Sequence, residues 1–282
     1  MRILARTRLI PMRKDRRQFL SCAVSGLAGL CSLGFKGAVA QWESPREIFL
    51  LAGQSNMSGR APLAGLPAFR HIDRVRTYRN SGEWTSTAEP IDDRDRSVYP
   101  VGDDDASASP GSAFGDRLAE LRPNAVIGLV PCARGATGID QWARNLSTSA
   151  LYGAMIARAR AAASDGELKG LIWFQGESDA ANATLANAWP GKFNRLVADV
   201  RSDLRHARLP VVMTVLGPDP NRSDFPAWPI IVERQRTMAL PDNCVRVSAQ
   251  DLAGQPNDPI HLDTPSIVTL GRRWAEALHA LL

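Results

Sequence analysis

The chain is 282 residues long, with 34 Lys and Arg against 29 Asp and Glu, 44% hydrophobic side chains and four cysteines. That composition excludes a disordered chain, a collagen-like repeat and a disulfide-built scaffold, and it is enough for one globular domain with a substantial core. The basic excess sits at the N-terminus: eight basic residues and one acidic residue fall in the first 40, leaving 26 against 28 from Gln41 onward, so nucleic acid is not an implied partner.

In chain order, Arg16-Arg17-Gln18-Phe19-Leu20 opens a weakly apolar stretch from Ser21 to Phe35, and Ala38-Val39-Ala40 puts small residues where a signal peptidase reads. The segment resembles a twin-arginine export signal. The expected organisation is a leader over residues 1–40, a single domain over 41–282, and an exported product, periplasmic or secreted. A stable membrane anchor is not expected, because the apolar stretch is short, glycine-rich and followed by Lys36. Leu30 before Cys31 is too large for a usual lipidation signal, and Met12 offers a second start.

Apolar runs at Glu47 to Ala52, Ala125 to Pro131, Gly170 to Phe174, Val211 to Leu216 and Cys244 to Ser248 predict five strands. Helical patterns cover Leu151 to Ala163, Lys192 to His206, Ala227 to Leu240 and Ser266 to Leu282, with a further helix beginning near Ser112. Strands alternating with helices imply crossover connections, hence a parallel sheet covered on both faces. Ser58 to Pro110 breaks the alternation. It is rich in Gly, Pro, Asp and Arg, leaves the sheet at the end of the first strand, and predicts a long loop forming a substrate-facing wall. Asp103-Asp104-Asp105 within it lacks the spacing of a calcium loop and reads as a solvated acidic turn. Cys132 and Cys244 are the only cysteines after the leader; a bridge and two unpaired thiols are both open readings, and neither residue has zinc-site spacing.

The first strand ends abruptly in Gly53-Gln54-Ser55-Asn56. Catalytic groups of open α/β sheets gather beyond the carboxyl ends of their strands, which makes Ser55 a candidate nucleophile, although no Gly-x-Ser-x-Gly elbow surrounds it. A serine hydroxyl needs a base, and the base needs an orienting group. Of the four histidines, His71, His206 and His279 lie in the long loop or in amphipathic helices. His261 has Asp258 three residues before it, close enough along a turn to take the Nδ1 proton and leave Nε2 for Ser55.

Gly53-Gln54-Ser55-Asn56, Trp173-Phe174-Gln175-Gly176-Glu177-Ser178-Asp179 and Asp258-Pro259-Ile260-His261, together with Arg134-Gly135-Ala136-Thr137 ahead of Trp142, resemble the motif blocks of the SGNH hydrolases. The nearest likeness is to the sialate O-acetylesterase-like group that includes carbohydrate esterase family six, from about Glu47 to Leu282. The resemblance implies a three-layer α/β/α, flavodoxin-like fold with a five-stranded parallel sheet in the order 2-1-3-4-5. It also implies an oxyanion hole formed by the Ser55 N–H, the Gly135 N–H and the Gln175 side-chain amide; Ala136 stands where the family has a second glycine. Glu177 is a rival to Asp258 for the acidic role, with Asp258 ranked first. Asn56 and Asp179 are expected to fix the nucleophile and glutamine loops, and Trp142 and Tyr152 either line a sugar cleft or pack in the core.

The function implied is that of an exported serine esterase removing acetyl or other short acyl groups from carbohydrate hydroxyls through an acyl-serine intermediate, with an acetylated carbohydrate as partner and without cofactor or metal. A lipase-like or aryl esterase of the same fold, and a non-catalytic glycan-binding module, are the alternatives.

Overall fold

The computed structural model describes residues 47–282, so the export-signal reading lies outside the described residues. The elements run β1 (Glu47–Gly53), α1 (Ser55–Ser58), β2 (Val75–Tyr78), β3 (Trp84–Ser86), α2 (Gly111–Leu121), β4 (Ile127–Pro131), α3 (Leu151–Ala162), β5 (Glu167–Phe174), α4 (Ala183–Asp203), β6 (Val211–Val215), α5 (Trp228–Thr237), β7 (Cys244–Ser248), β8 (Gly254–Gln255), β9 (Asp258–Leu262) and α6 (Thr264–His279).

The main sheet has seven strands in the order β3-β2-β4-β1-β5-β6-β7, where five were expected. The five anticipated strands form a parallel β4-β1-β5-β6-β7 nucleus, which is the 2-1-3-4-5 order in chain terms. The extra pair comes from the segment read as a loop: β2 runs parallel to β4, and β3 returns antiparallel to β2 as the sheet edge. Strands of four and three residues with an arginine among them carry too little apolar pattern to stand out.

Both faces of the nucleus are covered, and alternate residues of β5 show it. The Phe174 ring meets Trp274 of α6 edge-on at 6.0 Å, while Trp173 meets Trp142 on the other side at 5.3 Å. All four rings are buried, and removing each from water stabilises the fold by about 2–3 kcal/mol. Helices α2 and α6 pack together, as do α4 and α5. Helix α4 starts at Asn182, whose side chain accepts the Leu185 N–H at 3.0 Å, and it continues through Pro190, so it begins nine residues before the pattern predicted.

Cys132 is buried and Cys244 half-buried, and both thiols are free. Cys132 directly follows β4 and Cys244 opens β7, with β1, β5 and β6 between, and four strand spacings of about 4.8 Å exceed any disulfide's reach. No helix among the described residues is long and apolar enough to cross a membrane.

Candidate active site

The carboxyl ends of β1, β4 and β5 and the β8–β9 hairpin meet at one edge of the sheet around a cleft of about 870 Å³. β1 reaches that edge through Gly53, which adopts φ 145° against the backbone of β5; a β-carbon there would lie 1.9 Å from the Phe174 carbonyl oxygen. Glycine alone permits that approach. The chain then turns into α1, with Ser55 as its first residue.

Ser55 Oγ lies 2.9 Å from His261 Nε2, and His261 Nδ1 lies 2.5 Å from Asp258 Oδ2. Donation from Nδ1 to the carboxylate leaves Nε2 to accept the serine proton. Asp258 and His261 both stand on β9, which pairs antiparallel with β8, so a short hairpin rather than a free turn sets their geometry.

Asn56 joins this hairpin to the nucleophile. Its Nδ2 donates to the Ile260 carbonyl at 2.9 Å and to Glu177 Oε1 at 2.7 Å, and its Oδ1 accepts the Leu262 N–H at 3.0 Å. Glu177 is fully buried, its Oε2 has no hydrogen-bond partner among the described residues, and burial pushes its carboxyl up to about 7 against the lowering effect of the Asn56 bond. It makes no bond to His261. Asp179 accepts from Gln175 Nε2 at 2.5 Å and from the Ile139 N–H at 3.0 Å, which ties the end of β5 to the loop after β4; burial raises its carboxyl as well.

The three expected oxyanion donors are not equally free. The Ser55 N–H has no acceptor among the described residues. The Gly135 N–H donates to Asp103 Oδ2 at 2.8 Å, and the same oxygen takes Arg60 Nη2 at 2.6 Å and Ser58 Oγ at 3.3 Å. Burial alone would raise the Asp103 carboxyl, but Arg60 and the Gly135 N–H hold it below its ordinary value. Gln175 is fully buried, and its amide nitrogen is claimed by Gln54 Oε1 at 3.2 Å and the Thr137 carbonyl at 3.0 Å as well as by Asp179. Two hydrogens shared among three acceptors leave none for the cleft.

Trp142 and Tyr152 are both fully buried and pack in the core. The aromatic ring on the cleft wall is Phe225, with Arg222 stacked over it at 5.4 Å. Arg60, Arg134 and Asp103 form further parts of the wall. Sequence reasoning passed over Arg60, Arg222 and Phe225 because lone charged and aromatic residues in loops carry no periodic signal, and Asp103, read as part of a solvated acidic turn, is instead buried. Ala136 meets the backbone demand of its glycine position directly, with φ 57°. Among the described residues no group of three or more His, Cys, Asp or Glu side chains is placed to hold a metal ion.

A mostly parallel sheet flanked by helices, with this hydrogen-bonded serine, histidine and aspartate at its carboxyl edge, defines an SGNH-like hydrolase scaffold, and solved structures share it. One is an Arabidopsis thaliana protein, AT4G34215, at TM-score 0.72 and 29% identity over 84% of this chain and 98% of that one. NanS superposes at TM-score 0.61 with 18% identity over 84% and 98%, and the Xanthomonas citri carbohydrate acetylesterase XAC1771 at 0.59 with 22% identity over 82% and 55%. The family model "Carbohydrate esterase, sialic acid-specific acetylesterase" matches residues 45–280, and the chain belongs to that family of carboxylic ester hydrolases. At the sequence level the Arabidopsis thaliana protein, described as "Probable carbohydrate esterase At4g34215", is 32% identical over 254 residues, covering 83% of this chain and 90% of the relative.

Proposed function

We propose that the protein is an exported serine esterase that removes acetyl groups from carbohydrate hydroxyls through an acetyl-Ser55 intermediate. The observation that carries this reading is the series Ser55 Oγ, His261 Nε2, His261 Nδ1, Asp258 Oδ2, with contacts of 2.9 and 2.5 Å, opening on the cleft. Ser55 Oγ attacks the acetyl carbonyl carbon while His261 takes its proton. The sugar oxygen then leaves with that proton, forming the acetyl-serine ester. Water, deprotonated by His261, attacks the ester and releases acetate, and the proton returns to Ser55 Oγ. Asp258 holds the imidazole tautomer and stabilises the imidazolium, and the Ser55 N–H meets the developing oxyanion.

The cleft wall favours a hydroxyl-rich ligand over a fatty acyl chain: three arginines and four aspartates line it with a single aromatic ring. The membership of a carbohydrate esterase family supports the same substrate class. Acetate release from a panel of acetylated polysaccharides and sialosides tests the reading, with Ser55→Ala as control. The variant should stay folded and lose several orders of magnitude in turnover. A fluorophosphonate should label Ser55 in the wild type. Turnover of aryl acetates alone would move the protein to an aryl esterase, and binding of glycans without turnover to a lectin-like role.

A further inference from the structure

We propose that the side-chain amide of Gln54 is an oxyanion donor, and that Gln175 acts through it rather than on the substrate. This rests on the acetyl-serine reading. Gln54 directly precedes Ser55, is 2% exposed, and lines the cleft together with Ser55 and His261. Its Oε1 accepts Gln175 Nε2 at 3.2 Å, the Gly176 N–H at 3.3 Å and the Ser178 N–H at 3.4 Å.

Those three neighbours settle which way the carboxamide faces. Two are backbone N–H groups and the third is an amide nitrogen, so only an oxygen can stand before them; a flipped amide would set donor against donor. The orientation of Gln175 is fixed in turn by Trp189, whose indole N–H donates to Gln175 Oε1 at 2.8 Å, and by Asp179 on its nitrogen. Polarity is thus handed from Trp189 to Gln175 to Gln54.

With its oxygen held on the β5 side, the planar Gln54 carboxamide turns its nitrogen away from those donors. That nitrogen has no acceptor among the described residues. An amide donor with no internal acceptor on a residue that lines the cleft is available to a ligand oxygen. Beside it is the equally unclaimed Ser55 N–H. The expected alternatives are occupied, the Gly135 N–H by Asp103 and the Gln175 nitrogen by three internal acceptors. The pair that remains belongs to adjacent residues just beyond the end of β1, one of them the nucleophile itself, and both residues line the cleft. A donor pair so placed serves the oxygen that gains charge when Ser55 Oγ adds to the acyl carbon.

The test is steady-state kinetics on an acetylated substrate with Gln54→Ala and Gln54→Glu, folding checked by circular dichroism. Gln54→Glu preserves shape and the acceptor for the Gly176 and Ser178 N–H groups while deleting the donor, so it is expected to fold even where Gln54→Ala does not. Both should lose roughly a hundred- to a thousandfold in kcat, with KM within about threefold of wild type, the signature of a contact made in the transition state. Gln175→Leu should split the same way, because it releases the Gln54 amide. A folded Gln54→Glu with near-wild-type kcat, or with its whole loss in KM, overturns the assignment. Fluorophosphonate labelling of wild-type Ser55 runs alongside: an unlabelled, inactive wild type overturns the esterase reading itself, whereas a labelled, active one with unaffected Gln54 variants overturns Gln54 alone.

Discussion

Asn56 donates to Glu177 at 2.7 Å, and the same carboxamide grips the backbone on both sides of His261, at Ile260 and Leu262. The residue that follows the nucleophile therefore holds the strand that carries the base, and Glu177 braces it from behind. Asp258 instead touches the imidazole itself. The two carboxylates named as rivals in the sequence stand on opposite sides of the histidine's support, one on the ring and one on the bracket.

That arrangement separates two substitutions. Asp258→Asn should keep the fold and lower kcat by a hundredfold or more, since the imidazole loses its tautomer preference and the stabilisation of its protonated form. Glu177→Gln keeps an oxygen for Asn56 and should cost less than about tenfold. Steady-state kinetics on one acetate ester ranks them, and the opposite ranking would transfer the orienting role to Glu177.

Glu177 also makes a stability prediction with a definite sign. Its carboxyl is raised to about 7 by burial, against an ordinary value of 4.5, so the folded protein keeps a proton that the unfolded chain gives up. The stabilisation from this group is complete below about pH 4.5 and is lost as pH rises through 7, on the order of 3 kcal/mol in all. Glu177→Gln cannot ionise. Its Tm relative to wild type should climb between pH 5 and pH 8, and a pH-independent difference would show that the carboxyl titrates normally.

Ala136 sits at φ 57°, a left-handed conformation that costs a residue with a β-carbon about 1–2 kcal/mol. Ala136→Gly removes that strain and loses part of the gain to unfolded-state entropy. The expected net is about 1 kcal/mol of added stability, visible as a higher urea midpoint at unchanged slope. A lower midpoint would mean that the methyl group packs usefully against the cleft wall.

Export is testable by fractionation. In a host with twin-arginine transport, the mature protein should appear outside the cytoplasm with Gln41 as its first residue, and a joint Arg16→Lys, Arg17→Lys change should hold the precursor inside. A cytoplasmic wild type, or a mature N-terminus elsewhere, would overturn the expectation.

The parts of this fold legible in the sequence are those whose surroundings are uniform. The strands of the nucleus lie between helix layers and so read as unbroken apolar runs, Phe49-Leu50-Leu51 and Val211-Val212-Met213 among them. β2 and β3 lie toward one edge, and their short mixed sequences look like loop. The hydrogen-bonded partners of Ser55 were legible because chemistry restricts them to few residue types and a short spacing, Asp258 to His261. The direction of a carboxamide is not written in any spacing. Gln175 stood at the right place along the chain, but which way its amide turns depends on Trp189, fourteen residues on, and on Asp179. Asp103 was read as part of a solvated turn, and its ties to Arg60 and Gly135 emerge only when the segment folds back over the end of β4.

The segment between α1 and α2 is anchored at two places. Beside α1 the Ser107 N–H donates to the Gly59 carbonyl at 3.0 Å, and Asp103 Oδ2 accepts from Ser58 Oγ at 3.3 Å. The segment also adds β2 and β3 to one side of the sheet, and there the buried Arg158 of α3 donates to the Tyr78 carbonyl at 2.8 Å and to Asn80. From that mooring it sends Asp103 across to the cleft, while Ser55, His261 and Asp258 belong to α1 and β9. One wall of the cleft thus comes from a different stretch of chain than Ser55, His261 and Asp258, and Arg134, Arg222 and Phe225 complete the wall from other loops. Variation in this one segment changes a wall of the cleft without replacing Ser55, His261 or Asp258, as expected where loops on a rigid scaffold carry the fit.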